Sequence, residues 1–407
     1  MSGIHDGKRI RIALISPAYA TYGQPLFEIF QDSYDVDFFF LAPVEFTGKL
    51  LSVHELAKRK SVSDYYFSPQ KKFLVLLLAL IKNRYTIIIT SCISPQTMIS
   101  LLASKITRSK YILWIEDWFV PKPKSFRTLI RFFLLDLIAK LVLKNAGAVV
   151  VEGSPQRRWV RTFGVPAEKV FQANLSSLDY SKFKSMNLRQ KLNIGNGFVI
   201  LYVGRIIEQK GLDVLIKAFS MIEQEMGAAY LVICGDGNFR GSCESIIKEM
   251  QIKHVIFAGW IQEKEKAASF YKTADVFVMP SRIVAGEENA EGWGLVINEA
   301  MSMGKPVITT DAVGAAEDLV RNGVNGYVVK NGEIEELYLA LRKMVEDPRL
   351  RKTMGENSRI IFEEFNDFGK MFRGFKKAIE YSINTSEQRN SGRRQTETRR
   401  QRSPKSR

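Results

Sequence analysis

Apolar residues occur along this chain in short continuous runs, separated by stretches with helical spacing. The runs predict five strands in the first half and six in the second. Continuous apolar strands of this kind are typical of parallel sheets that are covered by helices on both faces. The pattern therefore predicts an α/β protein with two doubly wound domains. The predicted strands are residues 9–17, 36–41, 85–90, 111–115, 148–151, 198–203, 230–234, 255–258, 276–279, 306–309 and 326–329.

The two sets of strands are separated by a polar, basic stretch that is short of strand signals. We place the linker at residues 181–197, which gives an N-terminal domain of residues 1–180 and a C-terminal domain of residues 198–365. A C-terminal helix is predicted over residues 366–384. Residues 385–407 consist mainly of Arg, Ser, Gln and Thr without apolar periodicity, and this composition predicts a disordered basic tail.

Size and composition narrow the class of protein. At 407 residues with 46% hydrophobic content, the chain can bury more than one core. Three cysteines are too few for a disulfide framework, and three histidines without metal-ligand spacing argue against a zinc site. The longest charge-free apolar run, residues 73–81, falls well short of the roughly 20 residues that span a bilayer, and no signal peptide is visible. We expect a cytoplasmic protein, either soluble or peripheral to a membrane.

The net charge of +16 is concentrated in the first half and the tail. Residues 1–189 carry 27 Lys/Arg against 14 Asp/Glu, residues 190–384 carry 24 against 27, and residues 385–407 carry 8 against 2. Such basic regions attract polyanions, either nucleic acid or an anionic membrane surface. The basic stretches lack interleaved aromatic stacking positions, and the tail alone would bind without sequence preference, so specific nucleic-acid binding is not expected.

Two segments of the first half combine apolar residues with basic ends. Residues 71–84 form an almost uniformly apolar block between basic residues, and residues 127–144 interleave bases with apolar positions. Each segment can be a buried helix whose end charges reach solvent, or an interfacial face that binds a membrane. We favour the buried helix for the first segment and the membrane-binding face for the second.

Candidate chemistry begins where the first strand of the second half ends. Gly204 and Arg205 follow that strand, and Lys210 lies five positions after Arg205. A guanidinium and an ammonium group together could neutralise a diphosphate, although two such cations alone could equally be exposed loop residues. The turn 235–237 after the next strand is not a dinucleotide fingerprint, because the third glycine comes one position too late.

A second candidate stretch, residues 291–308, carries two carboxylates eight positions apart, Glu291 and Glu299. Glycines at 292 and 294 let the backbone approach a ligand closely. The start of a helix lies between the two carboxylates, and its unpaired amides suit an anionic ligand. Each glutamate alone could be an ordinary helix-corner charge.

Together these motifs resemble the retaining nucleotide-sugar glycosyltransferases of family 4, a group 1 family. The resemblance is strong over residues 198–330 and only architectural in the N-terminal half. It implies the glycosyltransferase-B fold, in which two Rossmann-like domains face a cleft. The motifs, in order, are Gly204-Arg205, Lys210-Gly211, Gly235-Asp236-Gly237, Pro280-Ser281, Glu291, Glu299, Gly304-Lys305-Pro306-Val307 and Asn325-Gly326.

The resemblance also implies roles for individual residues. Arg205 and Lys210 match the pair that holds the donor diphosphate and stabilises it as the leaving group. Glu299 matches the ligand of the ribose hydroxyls, and Glu291 matches the carboxylate beside the transferred sugar. The family generally needs no divalent metal, so we expect neither a metal nor another cofactor. The remaining donor-binding positions implied are Gly23, Gly204 and the amides of Trp293, Gly294 and Leu295.

Two features depart from the family. Many members carry a glycine pair after the first strand, whereas this chain has only Gly23 there. Many members also place a histidine after the fourth strand, where this chain has Glu116 and Asp117. Either carboxylate could replace the histidine as a polar contact or general base, or the two could be an ordinary helix-start acid pair. We take Asp117 as the candidate.

The sequence thus predicts a retaining, metal-independent glycosyltransferase that uses a nucleoside-diphosphate sugar. We expect its acceptor to be a lipid-linked glycan or glycolipid at the cytoplasmic face of the cell membrane, with the anionic membrane surface as a partner. Two alternatives stay within the same fold, a glycosyltransferase with a soluble acceptor and a sugar-nucleotide epimerase. A nucleic-acid-binding protein is the alternative of another class.

Overall fold

The computed structural model describes residues 4–5, 8–16, 24–40, 72–118, 124–285 and 290–402, with side chains in the last helix as far as residue 385. These residues form two parallel six-stranded sheets with helices packed against them. The architecture is the two-domain, doubly wound α/β fold that the apolar runs predict. Gly23 and the first part of the basic-apolar segment, residue 71, lie outside the described residues.

All eleven predicted strands are present in the two six-stranded sheets. Their twelfth strand, Val170–Gln172, was not predicted, and neither was a separate antiparallel pair formed by Ile4–His5 and Lys8–Arg9. Val170–Gln172 has only three residues, all partly exposed at the sheet edge, so it leaves no apolar run in the sequence. In chain order the strands are β1 (Ile4–His5), β2 (Lys8–Arg9), β3 (Arg11–Ser16), β4 (Asp35–Phe40), β5 (Ile87–Ser91), β6 (Lys110–Ile115), β7 (Ala148–Val151), β8 (Val170–Gln172), β9 (Phe198–Val203), β10 (Ala229–Cys234), β11 (Val255–Gly259), β12 (Val276–Met279), β13 (Val307–Thr310) and β14 (Gly326–Val329).

Helices connect the strands and cover the sheets. Several begin with recognisable caps; the hydroxyl of Ser125, for example, accepts a hydrogen bond from the Thr128 amide. The α-helices are α1 (Gln24–Ser33), α2 (Lys72–Asn83), α3 (Pro95–Thr107), α4 (Phe126–Asn145), α5 (Ser154–Thr162), α6 (Leu212–Met226), α7 (Arg240–Glu249), α8 (Lys264–Thr273), α9 (Val296–Ser302), α10 (Gly314–Leu319), α11 (Ile334–Glu346), α12 (Pro348–Phe365) and α13 (Phe368–Arg402).

The strand order indicates where a ligand can bind at the edge of each sheet. The first sheet has the order β4-β3-β5-β6-β7-β8 and the second has β11-β10-β9-β12-β13-β14. Pairing is parallel throughout both sheets, so all carboxyl ends of a sheet share one edge. In the second sheet the order reverses between β9 and β12. Doubly wound sheets bind ligands at such a reversal, beyond the carboxyl ends of the strands.

The linker packs against the C-terminal domain. Leu188 and Ile194 are buried in its core, and the amide of Leu188 donates to the Thr273 hydroxyl at 2.8 Å. Arg189 forms an ion pair with Asp275 at 2.7 Å. Residues 181–197 are therefore fixed to the second domain by both apolar and charged contacts.

The last helix, α13, returns to the N-terminal domain and completes its core. The ring of Phe375 lies 5.3 Å from that of Phe30 and 5.0 Å from that of Trp114, between centroids. The helix continues to Arg402, so residues 385–402, for which the composition predicts disorder, extend it in the structure. Extending a helix that has already formed costs far less than starting a new one. Residues 403–407 lie outside the described part.

Helices α2, α3 and α4 lie side by side on the N-terminal domain. The face of α2 that contains Leu76, Ala79 and Leu80 is buried, whereas Leu74 and Leu78 are exposed. The prediction of a buried helix for this segment therefore holds for one of its faces. None of the helices in the described part of the chain is long and apolar enough to cross a membrane.

Candidate active site

The first wall of the site is the loop after β9, at the reversal of the second sheet. This loop runs beside the turn 235–237: Gly204 donates to the Cys234 carbonyl at 3.0 Å, and Ile206 donates to the Asp236 carbonyl at 2.8 Å. A Cβ atom on Gly235 would lie 1.8 Å from the carbonyl oxygen of Gly204. The glycine turn therefore allows two backbones to touch, in line with its interpretation as a tight turn.

The same loop places Lys210 at the site through a one-turn 3-10 helix, Glu208–Lys210. Gly211 follows with a φ of +64°, and a Cβ atom there would lie 2.0 Å from the carbonyl oxygen of Pro280, at the end of β12. Only glycine fits a left-handed residue with a backbone so close. The Lys210 ammonium group forms an ion pair with the Glu291 carboxylate. Arg205, on the same loop, has an exposed side chain.

The second wall is the segment that contains Glu291. Its amide donates to the Ala312 carbonyl at 2.9 Å, and its carbonyl accepts from the Gly314 amide at 3.0 Å, so the segment pairs with the residues after β13. Gly294 has a φ of +93°, which turns the chain into α9. The first helical bonds are donated by Ile297 and Glu299. The amides of residues 293–295 therefore precede the hydrogen-bonded turns, as predicted for an anion-facing helix start.

Trp293 has a structural position. Its ring is buried, and its Nε1 donates to the Oδ1 atom of Asn298 at 2.9 Å. A Cβ atom on Gly153, in the other domain, would lie 2.6 Å from this ring. The indole thus packs under the loop and against the N-terminal domain. Only the backbone of Trp293 is therefore available to a bound ligand.

Glu299 lies in the first turn of α9 and is held by a tyrosine. The hydroxyl of Tyr271 donates to its Oε2 atom at 2.7 Å. Burial raises the pKa of Glu299 to about 7, against the lowering effect of hydrogen bonds from Tyr271 and Tyr180. A carboxylate close to its midpoint at neutral pH can accept or donate a hydrogen bond, as a hydroxyl-bearing ligand requires.

Three acidic residues of the first domain, Glu116, Asp117 and Glu152, lie at the carboxyl ends of β6 and β7. Burial, followed by repulsion from Asp117, raises the pKa of Glu116 to about 7. Burial, followed by repulsion from Glu291, raises the pKa of Asp117 to about 6. Burial, with repulsion from Glu116 and Asp117, also raises the pKa of Glu152 well above its usual range. Asp117 therefore lies close enough to Glu291 of the second domain for the two carboxylates to repel each other.

The two domains touch tightly at this point. A Cβ atom on Gly292 would lie 2.7 Å from the Glu116 carbonyl oxygen and 2.9 Å from the Oδ1 atom of Asp117. The Nε2 atom of Gln156, which is fully buried, donates to the carbonyls of Glu116 (3.0 Å) and Gly292 (2.7 Å). Trp118 donates its indole N–H to the Glu291 carbonyl at 3.2 Å.

The first turn of α5 adds further contacts between the domains. The amide and hydroxyl of Ser154 donate to the carboxylate of Asp318 at 2.8 and 2.6 Å. One turn later, Arg158 forms an ion pair with Glu317. A side chain of the second domain thus caps a helix of the first.

Of the predicted site residues, the structure brings Lys210, Glu291 and Asp117 close together, with Gly204 and Gly294 in the loops beside them. Sequence reasoning missed Glu152, Gln156 and Asp318. Glu152 directly follows a buried strand at the same sheet edge as Asp117, which is a signal in the sequence; Gln156 and Asp318 leave none. In the residues that the structure describes, no group of three His, Cys, Asp or Glu side chains is arranged to hold a metal ion.

Comparison with known proteins identifies the family. A sequence model of the family described as "Glycosyl transferases group 1" matches residues 185–360. This part of the chain matches the group 1 glycosyltransferases. The match covers most of the linker and of the C-terminal domain, where Arg205, Lys210, Glu291 and Glu299 lie.

Relatives of this glycosyltransferase extend the likeness to the N-terminal domain. The capsular polysaccharide biosynthesis glycosyltransferase CapM of Staphylococcus aureus is 27% identical over 335 residues, which cover 77% of this chain and 83% of that protein. The GDP-mannose-dependent alpha-(1-6)-phosphatidylinositol monomannoside mannosyltransferase of Mycolicibacterium smegmatis is 29% identical over 169 residues, 41% of this chain and 44% of that one.

Among solved structures, Anabaena HepE in complex with UDP superimposes with a TM-score of 0.73 at 21% sequence identity. The superposition covers 91% of this chain and 100% of HepE. The architecture of this glycosyltransferase is thus the two-domain glycosyltransferase-B fold.

Proposed function

We propose that this glycosyltransferase transfers a sugar from a nucleoside-diphosphate donor, with retention of configuration and without a divalent metal, to a lipid-linked acceptor at the cytoplasmic membrane face. The observation that carries the proposal is the ion pair of Lys210 with Glu291, where the adjacent Gly292 packs against Asp117 of the other domain. A cation, a carboxylate beside it and an acid from the facing domain are the groups that a reaction between a diphosphate sugar and a hydroxyl needs.

Lys210 and Arg205 are the groups that would neutralise the donor diphosphate. Charge grows on the leaving phosphate oxygen as the bond from the sugar C1 to that oxygen breaks, and fixed cations there stabilise the transition state. Lys210 is held near that position by Gly211, whose close approach to Pro280 fixes the end of the loop. The N–H groups of residues 293–295 add a partial positive charge from the helix start.

Retention follows from attack on the same face of the sugar that the leaving group departs from. The acceptor oxygen forms a bond to C1 as the bond from C1 to the phosphate oxygen breaks, and the acceptor proton passes to the departing diphosphate. In this scheme Glu291 lies beside the transferred sugar and Glu299 binds the ribose hydroxyls. Asp117, whose pKa lies close to neutrality, accepts a hydrogen bond from the acceptor hydroxyl when it is ionised.

A membrane-bound acceptor is supported by an exposed apolar surface of the N-terminal domain. We call it the three-helix surface; it is formed by α2, α3 and α4, which are adjacent. Helix α4 begins nine residues after Asp117, and of its residues only Ala139, Val142 and Leu143 are buried. The exposed apolar side chains of the surface are Leu74, Leu78, Leu102, Ile106, Phe126, Leu129, Ile130, Phe133, Leu134, Leu137 and Leu141.

So large an exposed apolar surface is rare on soluble proteins and marks an interaction site. The bases interleaved along α4 and the excess of basic residues in the N-terminal half suit an anionic bilayer. The mannosyltransferase relative, whose acceptor is named as a phosphatidylinositol mannoside, supports the same class of acceptor. CapM supports a place in polysaccharide synthesis.

The donor proposal is tested by thermal stabilisation with nucleoside diphosphates. UDP or GDP should raise the melting temperature of the wild-type protein, and Arg205→Ala and Glu299→Ala should abolish the shift. HepE, which binds UDP, makes UDP the first choice. No stabilisation by any nucleoside diphosphate would overturn the enzyme proposal. Salt-sensitive DNA binding that survives removal of residues 385–407 would instead favour the nucleic-acid alternative.

The reaction itself is tested with radiolabelled nucleotide sugars and a membrane extract. We expect label in the lipid fraction, an unchanged anomeric configuration in the product by NMR, and full activity in the presence of EDTA. Label in a soluble product would favour the soluble-acceptor alternative, and conversion of the donor sugar without transfer would favour an epimerase. Loss of activity in EDTA that is restored by a divalent cation would contradict the metal-independent mechanism.

A further inference from the structure

A cavity lies at the far end of α4, between this helix and the segment 162–169. Its volume is about 490 Å³. Its lining includes three lysines, Lys140, Lys144 and Lys169, together with the apolar side chains of Leu143, Phe163 and Val165. Leu143 and Val165 are buried in the core of the N-terminal domain, so the floor of the cavity is fixed while its cationic rim is open.

The cavity continues the exposed face of α4. Phe126, Ile130, Phe133 and Leu137 follow one another at spacings of three and four residues, which places them on one side of the helix. Lys140 and Lys144 continue the same spacing. This side of α4 is therefore apolar over its first three turns and cationic over its last two, where it reaches the cavity.

Charge at the cavity favours an anion. Lys140 also forms an ion pair with Asp136 at 2.6 Å, which offsets one of the three positive charges. The end of α4 contributes a partial negative charge of about half a unit. Two lysine charges exceed this, so the rim remains net positive.

We propose that the cavity binds the phosphate of an anionic lipid headgroup while the apolar turns of α4 enter the acyl region of the same leaflet. Phe126 and Lys144 lie about 27 Å apart along the helix, at 1.5 Å per residue. A helix of this length can lie along the membrane surface with its apolar side buried about 5–10 Å at the boundary between headgroups and acyl chains. The inference rests on the membrane location in the proposed function and adds a defined headgroup site to it.

The site fixes how the enzyme lies on the membrane. A bound headgroup would anchor the end of α4 that is packed on the domain, and the apolar end would anchor the other. The start of α4, nine residues after Asp117, would then lie at the membrane surface, so that a lipid-linked acceptor could approach the cleft without leaving the bilayer.

The test is vesicle flotation of the full chain with phosphatidylcholine alone and with phosphatidylcholine containing phosphatidylglycerol. The variant is Lys140→Gln/Lys144→Gln/Lys169→Gln. The matched control, Lys248→Gln/Lys330→Gln/Lys352→Gln, removes the same charge from exposed positions of the C-terminal domain. Because a lysine near an anionic surface contributes about a fivefold gain in affinity, we expect roughly a hundredfold weaker binding to anionic vesicles for the cavity variant and little change for the control.

An unaltered preference of the cavity variant for anionic vesicles would overturn the proposal, as would an equal loss in the control. UDP-induced stabilisation of the cavity variant shows in the same preparation that the protein is folded and that the donor site is intact. The two proposals can therefore fail separately. A free-phosphate site replaces the lipid site if inorganic phosphate stabilises the wild type but not the cavity variant and vesicle binding is equal in both.

Discussion

The ammonium group of Lys210 is paired with the carboxylate of Glu291, 81 positions further along the chain, and both side chains are less than one-fifth exposed. The pair joins the loop after β9 to the segment before α9. Under the proposed function, the donor diphosphate would compete with the Glu291 carboxylate for Lys210. Donor binding would then replace one anion with another at Lys210 and release the carboxylate of Glu291.

This pairing predicts coupled effects of mutation. Lys210→Ala should lower kcat by about 10²- to 10³-fold, because it removes a fixed charge at the leaving oxygen. Glu291→Gln should partly relieve the loss of stability in Lys210→Ala, since it removes the carboxylate left without its partner. Urea unfolding of the two single variants and the double variant measures the coupling, which we expect to be about 1–3 kcal/mol. Additive effects on stability would contradict a direct pair.

The raised pKa of Asp117 predicts a pH-dependent stability. The folded state holds the proton more tightly than the unfolded state, whose value is near 3.8. Stability from this group is thus fully present below about pH 4 and is lost as pH rises through about 6. Asp117→Asn should flatten the fall in melting temperature between pH 4 and 7, whereas Asp32→Asn on the exposed side of α1 should leave it unchanged. Equal slopes in all three proteins would show that Asp117 titrates normally.

Substitutions at two glycines distinguish the stability cost of backbone strain from the cost of a steric collision. Gly211 and Gly227 have nearly the same φ, +64° and +65°, with ψ of 23° and −33°, but a Cβ atom on Gly227 would meet nothing within 4 Å. Gly227→Ala should therefore cost only the strain of a sparsely populated backbone conformation, about 1–3 kcal/mol. Gly211→Ala adds a collision with the Pro280 carbonyl and should cost several times more. Chemical denaturation compares them, and equal costs would mean that the loop moves aside without penalty.

The bridging amide of Gln156 predicts a defect in turnover. Gln156→Glu keeps the shape but replaces the N–H donor between the carbonyls of Glu116 and Gly292 with an oxygen. The facing acids of the two domains then lose their fixed spacing, and such misplacement can cost about 10²-fold in rate. Nucleoside-diphosphate affinity should stay close to that of the wild type, because the donor groups are on the other domain. The exposed Gln251→Glu serves as the control; a fall in donor affinity without a fall in kcat would refute this role.

Local pattern was sufficient to predict both sheets, because each buried parallel strand is a continuous apolar run. The strand Val170–Gln172 was missed because three partly exposed residues at an edge carry no such run. Lys210 and Glu291 could be assigned to one site only through the resemblance of their motifs to those of a family. The residue types of two separate loops do not by themselves indicate that the loops are in contact.

The contacts between the domains lay beyond prediction for a related reason. Gln156 and Asp318 each form hydrogen bonds with groups of the opposite domain. The sequences around them share no pattern of apolar and polar residues that would indicate this contact. The burial of the Trp293 side chain could not be predicted from the sequence either. Its burial depends on Gly153, which belongs to the other domain and leaves room for the ring.

The return of α13 to the first sheet has a consequence for biosynthesis. Phe375 closes the apolar contact between Phe30 and Trp114, although it is made more than 250 residues later than either of them. During translation the core of the first domain therefore remains incomplete at this point until the second domain has been synthesised. A chain that terminates early, for instance at residue 366, would contain all the strands of both sheets but would leave the core of the first domain without the helix that covers it.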